Sequence, residues 1–272
     1  MREKREPHSV TPRHATPDTR HATPVVEVEG LVARYGETTV LDGVSFDVRR
    51  REVLVILGGS GCGKTTLLRH LIGLQRPASG SVRLFGQDIT RMDEDALDAL
   101  RRRFGVAFQS SALFGSMTAG ENVALPMRER GIDAALIPGL VRMKLSLVGL
   151  ADAVHKMPSE LSGGMRKRVA LARALALDPE LVFFDEPSAG LDPVTAAGLD
   201  RLILGLRNIL DITIVVVTHE LDSIRTIADR ALMLADARIV FLGPLDGVGA
   251  AADPRVGQFF RREPDGALGA TD

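Results

Sequence analysis

The sequence predicts an α/β fold with a mostly parallel sheet. Three observations predict it: apolar runs alternate with helix-like segments, four of these runs end in polar residues, and a glycine-rich stretch joins one run to a helix. The four runs are residues 53–57, 106–108, 181–184 and 214–217. Because ligands bind at the carboxyl ends of strands in open parallel sheets, we expect the polar residues that follow these runs to lie along one edge.

The composition is that of an ordinary globular protein with a sizeable core. Of the 272 residues, 45% are hydrophobic and 25% are charged, and the net charge is −1. This balance argues against nucleic acid as the main partner, because such proteins usually carry a basic excess. A single cysteine excludes an internal disulfide and fits a reducing compartment. The sequence has no run of 18 apolar residues and no signal-peptide pattern, so we expect neither a membrane span nor secretion.

Residues 1–24 predict a disordered tail. They are rich in Pro, Thr, Arg and His, and the pattern Arg-His-Ala-Thr-Pro occurs twice. Three of the six histidines lie here. Metal binding is an alternative interpretation, but no Cys or carboxylate cluster completes a ligand set. The main domain is expected at residues 25–245, with a C-terminal extension at residues 246–272.

The first part of the domain predicts half-buried strands. Apolar residues alternate in residues 25–31 and 40–48, which is typical of strands with one buried face. Asp42 and Gly43 are a turn signal. Tyr35, the only tyrosine, stands between the two stretches. Its ring can stack on a base, although on spacing alone a packing role is at least as well supported.

The glycine-rich stretch matches the phosphate-binding pattern G-x-x-x-x-G-K-[ST]. Its residues, here named the phosphate loop, are Gly58, Gly59, Ser60, Gly61, Cys62, Gly63, Lys64, Thr65 and Thr66. Glycines let successive backbone N–H groups surround a phosphate, and the following helix directs its positive end at the same anion. Lys64 adds a mobile charge, and Thr65 adds a hydroxyl for Mg²⁺. Only the backbone of Cys62 is needed, so its side chain is interpreted as a compact filler.

A mostly helical region follows, at about residues 91–176. Thr118 and Glu121 form a capping box, and residues 136–150 have helical spacing. The run at residues 106–108 interrupts the region and ends at Gln109. The amide of Gln109 can accept a hydrogen bond from a nucleophilic water and can bind Mg²⁺.

Two consecutive carboxylates, Asp185 and Glu186, end another apolar run. Asp185 is expected to hold Mg²⁺ through its water shell, and Glu186 to orient or deprotonate an attacking water. Such pairs also occur as simple polar ends of strands, but the upstream phosphate loop favours the chemical role. His219 could bridge to the γ-phosphate of a nucleotide. A lone histidine after a strand more often only satisfies hydrogen bonds, so its role depends on its place among the four strand ends.

A second glycine motif stands before a basic, helix-like segment. Ser162, Gly163 and Gly164, here named the signature segment, can form another anion cradle at a helix start. One nucleotide does not need two cradles from one molecule. In isolation, a capped helix start is the simpler interpretation.

From about Val26 to Gly243 the sequence resembles the ATP-binding cassette (ABC) ATPases. It has the phosphate loop, the signature segment, the Asp-Glu pair and the histidine in the family's order. The resemblance implies a P-loop NTPase core with a mostly parallel sheet, an N-terminal antiparallel β-subdomain and an inserted helical subdomain at about residues 91–176. It also implies an ATPase that uses ATP and Mg²⁺.

The same resemblance implies roles for individual residues. The signature segment of one copy touches the γ-phosphate of ATP on the phosphate loop of a second copy, so a homodimer encloses two ATP molecules. Tyr35 stacks on adenine, and Gln109 sits where helices of a membrane partner dock. Glu186 carries over as the catalytic base and His219 as the switch histidine.

A finer resemblance points to the ATPases of the Mla and Mce lipid transport systems. It rests on Met165, where most ABC import ATPases have Gln, and on residues 109–114, 122–126, 157–165 and 253–259. It implies a place on the cytoplasmic face of the bacterial inner membrane. There such ATPases drive an integral membrane permease and a periplasmic Mce-domain protein that move phospholipids between membranes. The match departs at residues 188–191, which are nearer the general ABC form, and in the N-terminal tail.

Three other functions stay open. The chain could be an ABC import ATPase for another small molecule, a soluble ABC protein that acts on DNA or the ribosome, or an ATP-sensing regulatory module. The second class needs long coiled coils or two cassettes in one chain, and this sequence has neither. Copurifying partners would separate these classes.

Overall fold

The computed structural model describes residues 23–263. The predicted tail lies outside these residues except for its last two positions, and residues 264–272 of the predicted extension also lie outside them. The strands are β1 (Val26–Tyr35), β2 (Thr38–Val48), β3 (Val53–Gly58), β4 (Ser79–Leu84), β5 (Gln87–Asp88), β6 (Phe104–Ala107), β7 (Leu181–Asp185), β8 (Thr213–Val217), β9 (Arg230–Ala235) and β10 (Arg238–Pro244). The helices are α1 (Lys64–Leu71), α2 (Glu94–Arg101), α3 (Ala119–Glu129), α4 (Ile137–Leu147), α5 (Gly163–Ala174), α6 (Pro193–Leu210), α7 (Leu221–Ile227) and α8 (Pro254–Arg261).

The strands form two sheets. The larger has the order β10-β9-β3-β8-β7-β6, and all its neighbours pair in parallel except β10 with β9. The smaller sheet has the order β2-β1-β4-β5 and is antiparallel. The predicted fold, a mostly parallel sheet with an N-terminal antiparallel part, is therefore confirmed.

Strand β3 divides the core between the two faces of the large sheet. Val53, Val55 and Leu57 join the apolar cluster formed with α3 to α6, whereas Leu54 and Ile56 join the cluster formed with α1 and the small sheet. All five are completely buried. Successive side chains of a strand point to opposite faces, so a strand covered on both faces is apolar throughout. This burial fixes the position at which β3 delivers the phosphate loop.

The turn predicted at Asp42 and Gly43 is wrong. These residues lie inside β2, and the chain reverses instead at Gly36 and Glu37, between β1 and β2. The register advances by three residues on β2, from Val44 to Leu41, while β1 advances by two. Gly43, at φ +68°, therefore lies at an irregularity of β2. A glycine with positive φ is typical of bulges as well as turns.

The region at residues 91–176 contains α2 to α5 and the single strand β6. The predicted capping box is present: the Thr118 hydroxyl accepts from the Glu121 N–H at 3.1 Å, and the Glu121 carboxylate accepts from the Thr118 N–H at 2.8 Å. In the predicted C-terminal extension, Val256 of α8 is fully buried against the main core. Within residues 23–263, no helix combines the length and apolar character needed to cross a membrane. The subdomain boundaries stay predictions.

Candidate nucleotide site

The phosphate loop joins the end of β3 to the start of α1, and two of its glycines are required by geometry. At Gly58, with φ +145°, a Cβ atom would lie 2.3 Å from the carbonyl oxygen of Leu234 on the neighbouring strand. At Gly63, with φ +101°, it would lie 2.9 Å from the side chain of Leu41. Gly63 precedes α1 without a side-chain cap. The N–H groups of the first turn of α1 therefore suit an anion.

Lys64 folds back over the loop that precedes it. Its Nζ donates to the carbonyl oxygens of Gly58 at 2.9 Å and Gly59 at 2.8 Å. No carboxylate of the described chain forms an ion pair with Lys64, so its positive charge is held at the loop by neutral groups. This arrangement suits a site that receives phosphate.

The two carboxylates end β7 in a buried position. One Glu186 oxygen, Oε1, lies 2.8 Å from Nδ1 of His219, whereas Oε2 is buried without a hydrogen-bond partner among the described residues. The backbone of Glu186 has φ +47°, which is uncommon for a residue with a side chain and costs on the order of 1 kcal/mol. Its N–H donates to the carbonyl of Val217 at 2.8 Å, which ties the end of β7 to β8. The structure thus places Glu186 and His219, predicted separately, in direct contact.

Asp185 has the properties of a ligand for a cation. Its Oδ1 is buried without a hydrogen-bond partner among the described residues. Burial and the neighbouring Glu186 raise the pKa of the Asp185 carboxyl, while Arg69, Lys167 and Lys64 oppose the shift. Asp185, Thr65 and Gln109, the three predicted metal ligands, line one open cleft of about 600 Å³. A bound cation would satisfy Oδ1 and stabilise its charged form.

This donor set fits Mg²⁺. Among the described residues, no three His, Cys, Asp or Glu side chains come together as a metal cluster. Mg²⁺ needs no such cluster, because it is commonly held by one or two carboxylates, water and substrate phosphates. A hydroxyl, an amide and one carboxylate beside a phosphate loop therefore match its chemistry.

Tyr35 stands beside the helix that follows the phosphate loop. Its hydroxyl donates to the Gln75 side chain at 2.8 Å, and Thr66 and Arg69 of α1 also interact with it. The Gln75 hydrogen bond is the largest cause that lowers the pKa of Tyr35. The residue is 43% exposed, so a base can reach its ring. Stacking and packing both remain compatible with this position.

The signature segment begins α5. The Ser162 hydroxyl accepts a hydrogen bond from the Met165 N–H at 3.2 Å. Ser162 therefore caps the start of α5, as the interpretation of this segment as a capped helix start predicts. A Cβ atom on Gly164 would lie 2.6 Å from the side chain of Thr195. Residues of the phosphate loop line two open clefts, one with the residues around Asp185 and one with the residues around Arg255. The signature segment lines neither of these two clefts. Of the other predicted residues, Gln109 and Asp185 line the same cleft as Thr65 of the loop, and Tyr35 contacts Thr66.

A buried hydrogen-bond chain joins the segment after Glu186 to two helices. Asp200 of α6 accepts from the Ser223 hydroxyl of α7 at 2.8 Å, and that hydroxyl lies 3.4 Å from the hydroxyl of Ser188. The other Asp200 oxygen, Oδ1, is buried without a partner in the described chain. Burial raises the pKa of Asp200.

Sequence reasoning missed Lys167 of α5. It is 8% exposed, and its ammonium donates to the carbonyl oxygens of both Gln109 and Glu186. Lys167 lies in a basic run, Arg166 to Arg168, which suggests a solvated face. The available signal was its spacing of three, four and seven residues from the apolar residues at 170, 171 and 174, which places it on the buried face of α5.

Comparisons with known proteins agree with this geometry. The ABC transporter family model matches residues 41–189. The intermembrane phospholipid transport system ATP-binding protein MlaF of Escherichia coli K12 is 43% identical over 245 residues, which cover 90% of this chain and 91% of MlaF. The probable ribonucleotide transport ATP-binding protein mkl of Mycobacterium leprae is 42% identical over 248 residues, which cover 91% of this chain and 72% of mkl.

Two solved structures have the same fold. The structure of cbiO1 from Clostridium perfringens, part of the ABC transporter complex cbiONQ, has a TM-score of 0.78 at 28% identity and covers 88% of this chain and 99% of cbiO1. A dimeric post-hydrolysis state of the ATP-binding cassette MJ0796, bound to ADP and Pi, has a TM-score of 0.74 at 30% identity. It covers 81% of this chain and 98% of MJ0796. The resemblance stated from the motifs is confirmed at the level of the family.

Proposed function

Since the chain belongs to the ABC transporter family of ATPases, we propose that it is the ATP-hydrolysing subunit of an intermembrane phospholipid transporter of the Mla/Mce type. The observation that carries this proposal is the match to MlaF, which extends over nine-tenths of both chains. The mkl proteins are equally similar, but this chain spans only 72% of the Mycobacterium leprae protein. That similarity favours a second candidate, transport of another small molecule such as a ribonucleotide.

The proposed chemistry converts ATP and water to ADP and phosphate. The phosphate loop and Lys64 hold the phosphates, and Tyr35 stacks on the adenine. Glu186 accepts the proton of the attacking water, for which its unpartnered Oε2 supplies the lone pair. His219 fixes the same carboxylate through Oε1 and serves as the γ-phosphate switch.

Mg²⁺ fits beside the bound phosphates, where Thr65, Gln109 and Asp185 would hold it. When bound, it supplies positive charge that offsets the charge of the β- and γ-phosphates. The protein's own cations near this position are Arg69, Lys167 and Lys64, all of which act on Asp185.

We expect a complete site to need two copies of the chain. The signature segment lies outside the clefts around the phosphate loop, and MJ0796 is dimeric in its state bound to ADP and Pi. A homodimer would place the signature segment of each copy against ATP on the other. ATPase activity should therefore rise more than linearly with protein concentration at low concentration. Strict proportionality down to concentrations at which the chain is monomeric by size would contradict this expectation.

The proposed partners are an integral membrane permease and, through it, an Mce-domain lipid-binding protein, with the ATPase on the cytoplasmic face of a bacterial inner membrane. The test is affinity purification of the tagged full chain from membranes dissolved in mild detergent. A permease and an Mce-domain protein should copurify. Ribosomes or nucleic acid would contradict the proposal, and recovery of the chain alone would favour a regulatory module.

Cargo is tested on the purified complex. We expect its ATPase rate to increase in vesicles that contain phospholipid, and phospholipid to be extractable from the complex. Stimulation by ribonucleosides or ribonucleoside monophosphates, with no effect of phospholipid, would instead support the second candidate. Both candidate functions include ATP hydrolysis, so hydrolysis alone does not distinguish them.

A further inference from the structure

Lys167 connects two segments of the site that come from different strands. Its ammonium donates to the carbonyl oxygen of Gln109, which follows β6, and to that of Glu186 at 3.1 Å, which follows β7. Lys167 itself lies on α5, the helix that begins at the signature segment. One side chain thus contacts the backbone at two predicted site residues and belongs to the helix that carries a third motif.

No ion pair explains why the side chain of Lys167 is buried. Lysine is rarely buried without a charged partner, because removing an ammonium from water is costly. No carboxylate of the described chain lies within ion-pair distance of Lys167, and both hydrogen-bond acceptors are neutral carbonyls. Desolvation lowers the pKa of Lys167, while Glu186 and Asp185 oppose the shift. If position 167 only packed α5 against the core, an apolar side chain would be more favourable there, because its burial carries no desolvation cost.

The two segments that Lys167 holds have unusual backbone conformations. Glu186 has φ +47°, and Ser111 and Ala112, just after Gln109, have φ +62° and +46°. Non-glycine residues keep such conformations only where surrounding groups hold them. Arg173, also on α5, donates to the carbonyls of Ser111 and Ala112 at 2.9 and 2.7 Å. Helix α5 therefore holds both segments by cationic side chains.

We propose that Lys167 is a positioning residue for ATP hydrolysis, which fixes the backbone of Glu186 relative to Gln109 and to helix α5. It acts through Glu186, so this inference rests on the proposed role of Glu186 as base. Because Lys167 makes no contact with the phosphate loop, its loss should leave ATP binding intact. The base would then be misplaced, and displacement by about 1 Å can lower the rate of a chemical step by about 100-fold.

The test compares Lys167→Met with Lys167→Gln in the purified full chain. Met has a similar length but no donor, so kcat should fall about 10- to 100-fold while KM for ATP stays within about twofold. Gln keeps two N–H donors for two carbonyls and should recover part of kcat. An unchanged kcat in Lys167→Met, or a loss confined to KM, would overturn the proposal. If Lys167→Met does not fold, Lys167→Gln decides alone. Because Gln restores the two hydrogen bonds only in part, a kcat below wild type at unchanged KM and melting temperature supports the proposal, and wild-type kcat contradicts it.

Lys144→Met is the matched control. Lys144, on α4, is also a buried lysine and is 1% exposed, but it pairs with Asp178 and contacts none of the predicted site residues. Its substitution should lower the melting temperature and leave kcat per folded molecule unchanged. An equal loss of kcat in both variants would show that Lys167 has only a structural role.

A double variant separates this inference from the proposed function. If Lys167 acts through Glu186, adding Lys167→Met to Glu186→Gln should cause little further loss in single-turnover hydrolysis. Full multiplication of the two losses would contradict action through Glu186. If Glu186→Gln alone keeps wild-type turnover, the assigned base is wrong, whatever Lys167 does.

Discussion

The substitution Glu186→Gln tests the assignment of the catalytic base at a single atom. Oε1 of Glu186 contacts His219 at 2.8 Å, and glutamine keeps an oxygen that can make this contact. The unpartnered Oε2 becomes an NH₂ group, which cannot accept a proton. The variant should therefore fold and bind ATP, but it loses the acceptor for the proton of water.

The expected loss follows from the contribution of a positioned base. General base catalysis contributes about 10²- to 10⁴-fold, which corresponds to about 3–5 kcal/mol of activation free energy at 1.36 kcal/mol per decade. The rate of phosphate release by the purified variant should therefore fall at least about 100-fold. ATP should remain bound, and a dimer should accumulate with ATP in size-exclusion chromatography.

Glu220→Gln is the control for this variant. Glu220 also contacts His219, with its carboxylate 3.3 Å from Nε2, but it is 49% exposed in its side chain. Its substitution should change turnover by no more than about threefold, as expected of an exposed pair. The reasoning is refuted if Glu186→Gln retains turnover within about threefold of wild type, or if the two variants are equally impaired.

Three further predictions address binding, packing and pH. Lys64→Ala should weaken ATP binding at least about tenfold, measured by titration calorimetry, because a charged hydrogen-bond donor to phosphate is worth about 1.5–3 kcal/mol. Gly105→Ala should destabilise the protein by about 1–3 kcal/mol in urea unfolding, since its Cβ would lie 2.0 Å from the Ala174 carbonyl oxygen; Gly139→Ala, with nothing within 4 Å of its Cβ, should not. The raised pKa of Asp200 means that the folded protein holds its proton more tightly than the unfolded chain. Stability of the wild type relative to Asp200→Asn should therefore fall as pH rises from about 4, the unfolded pKa, and thermal melts across this range measure the difference.

The sequence was sufficient to predict the positions of the site residues that directly follow strands. The phosphate loop and the Asp185–Glu186 pair were placed because a parallel sheet brings the carboxyl ends of its strands to one edge. Thr65, Gln109 and Asp185, far apart in the chain, line one cleft for that reason. The family and fold were identified from the same motifs and are confirmed.

Other features depend on contacts that local patterns do not encode. Asp42-Gly43 has the composition of a turn, yet pairing with β1 keeps it inside β2. Lys167 stands in a basic run that suggests solvent, yet the packing of α5 turns it toward two carbonyls. The contact between Glu186 and His219 requires the register of β7 and β8, which only the folded sheet provides. The roles of individual site residues stay predictions.

The central claim, that each complete site needs two copies of the chain, is tested by mixing two inactive variants. Ser162→Asp keeps a residue that caps α5 but places a negative charge where the γ-phosphate of the other copy is expected; Ser162→Asn, also a good cap, is its neutral control. Lys64→Ala disables the phosphate loop. In an equal mixture of Ser162→Asp and Lys64→Ala, half of the dimers are mixed, and each mixed dimer has one intact site, so ATPase activity should recover to about a quarter of wild type. A mixture no more active than the two variants measured separately would contradict the claim.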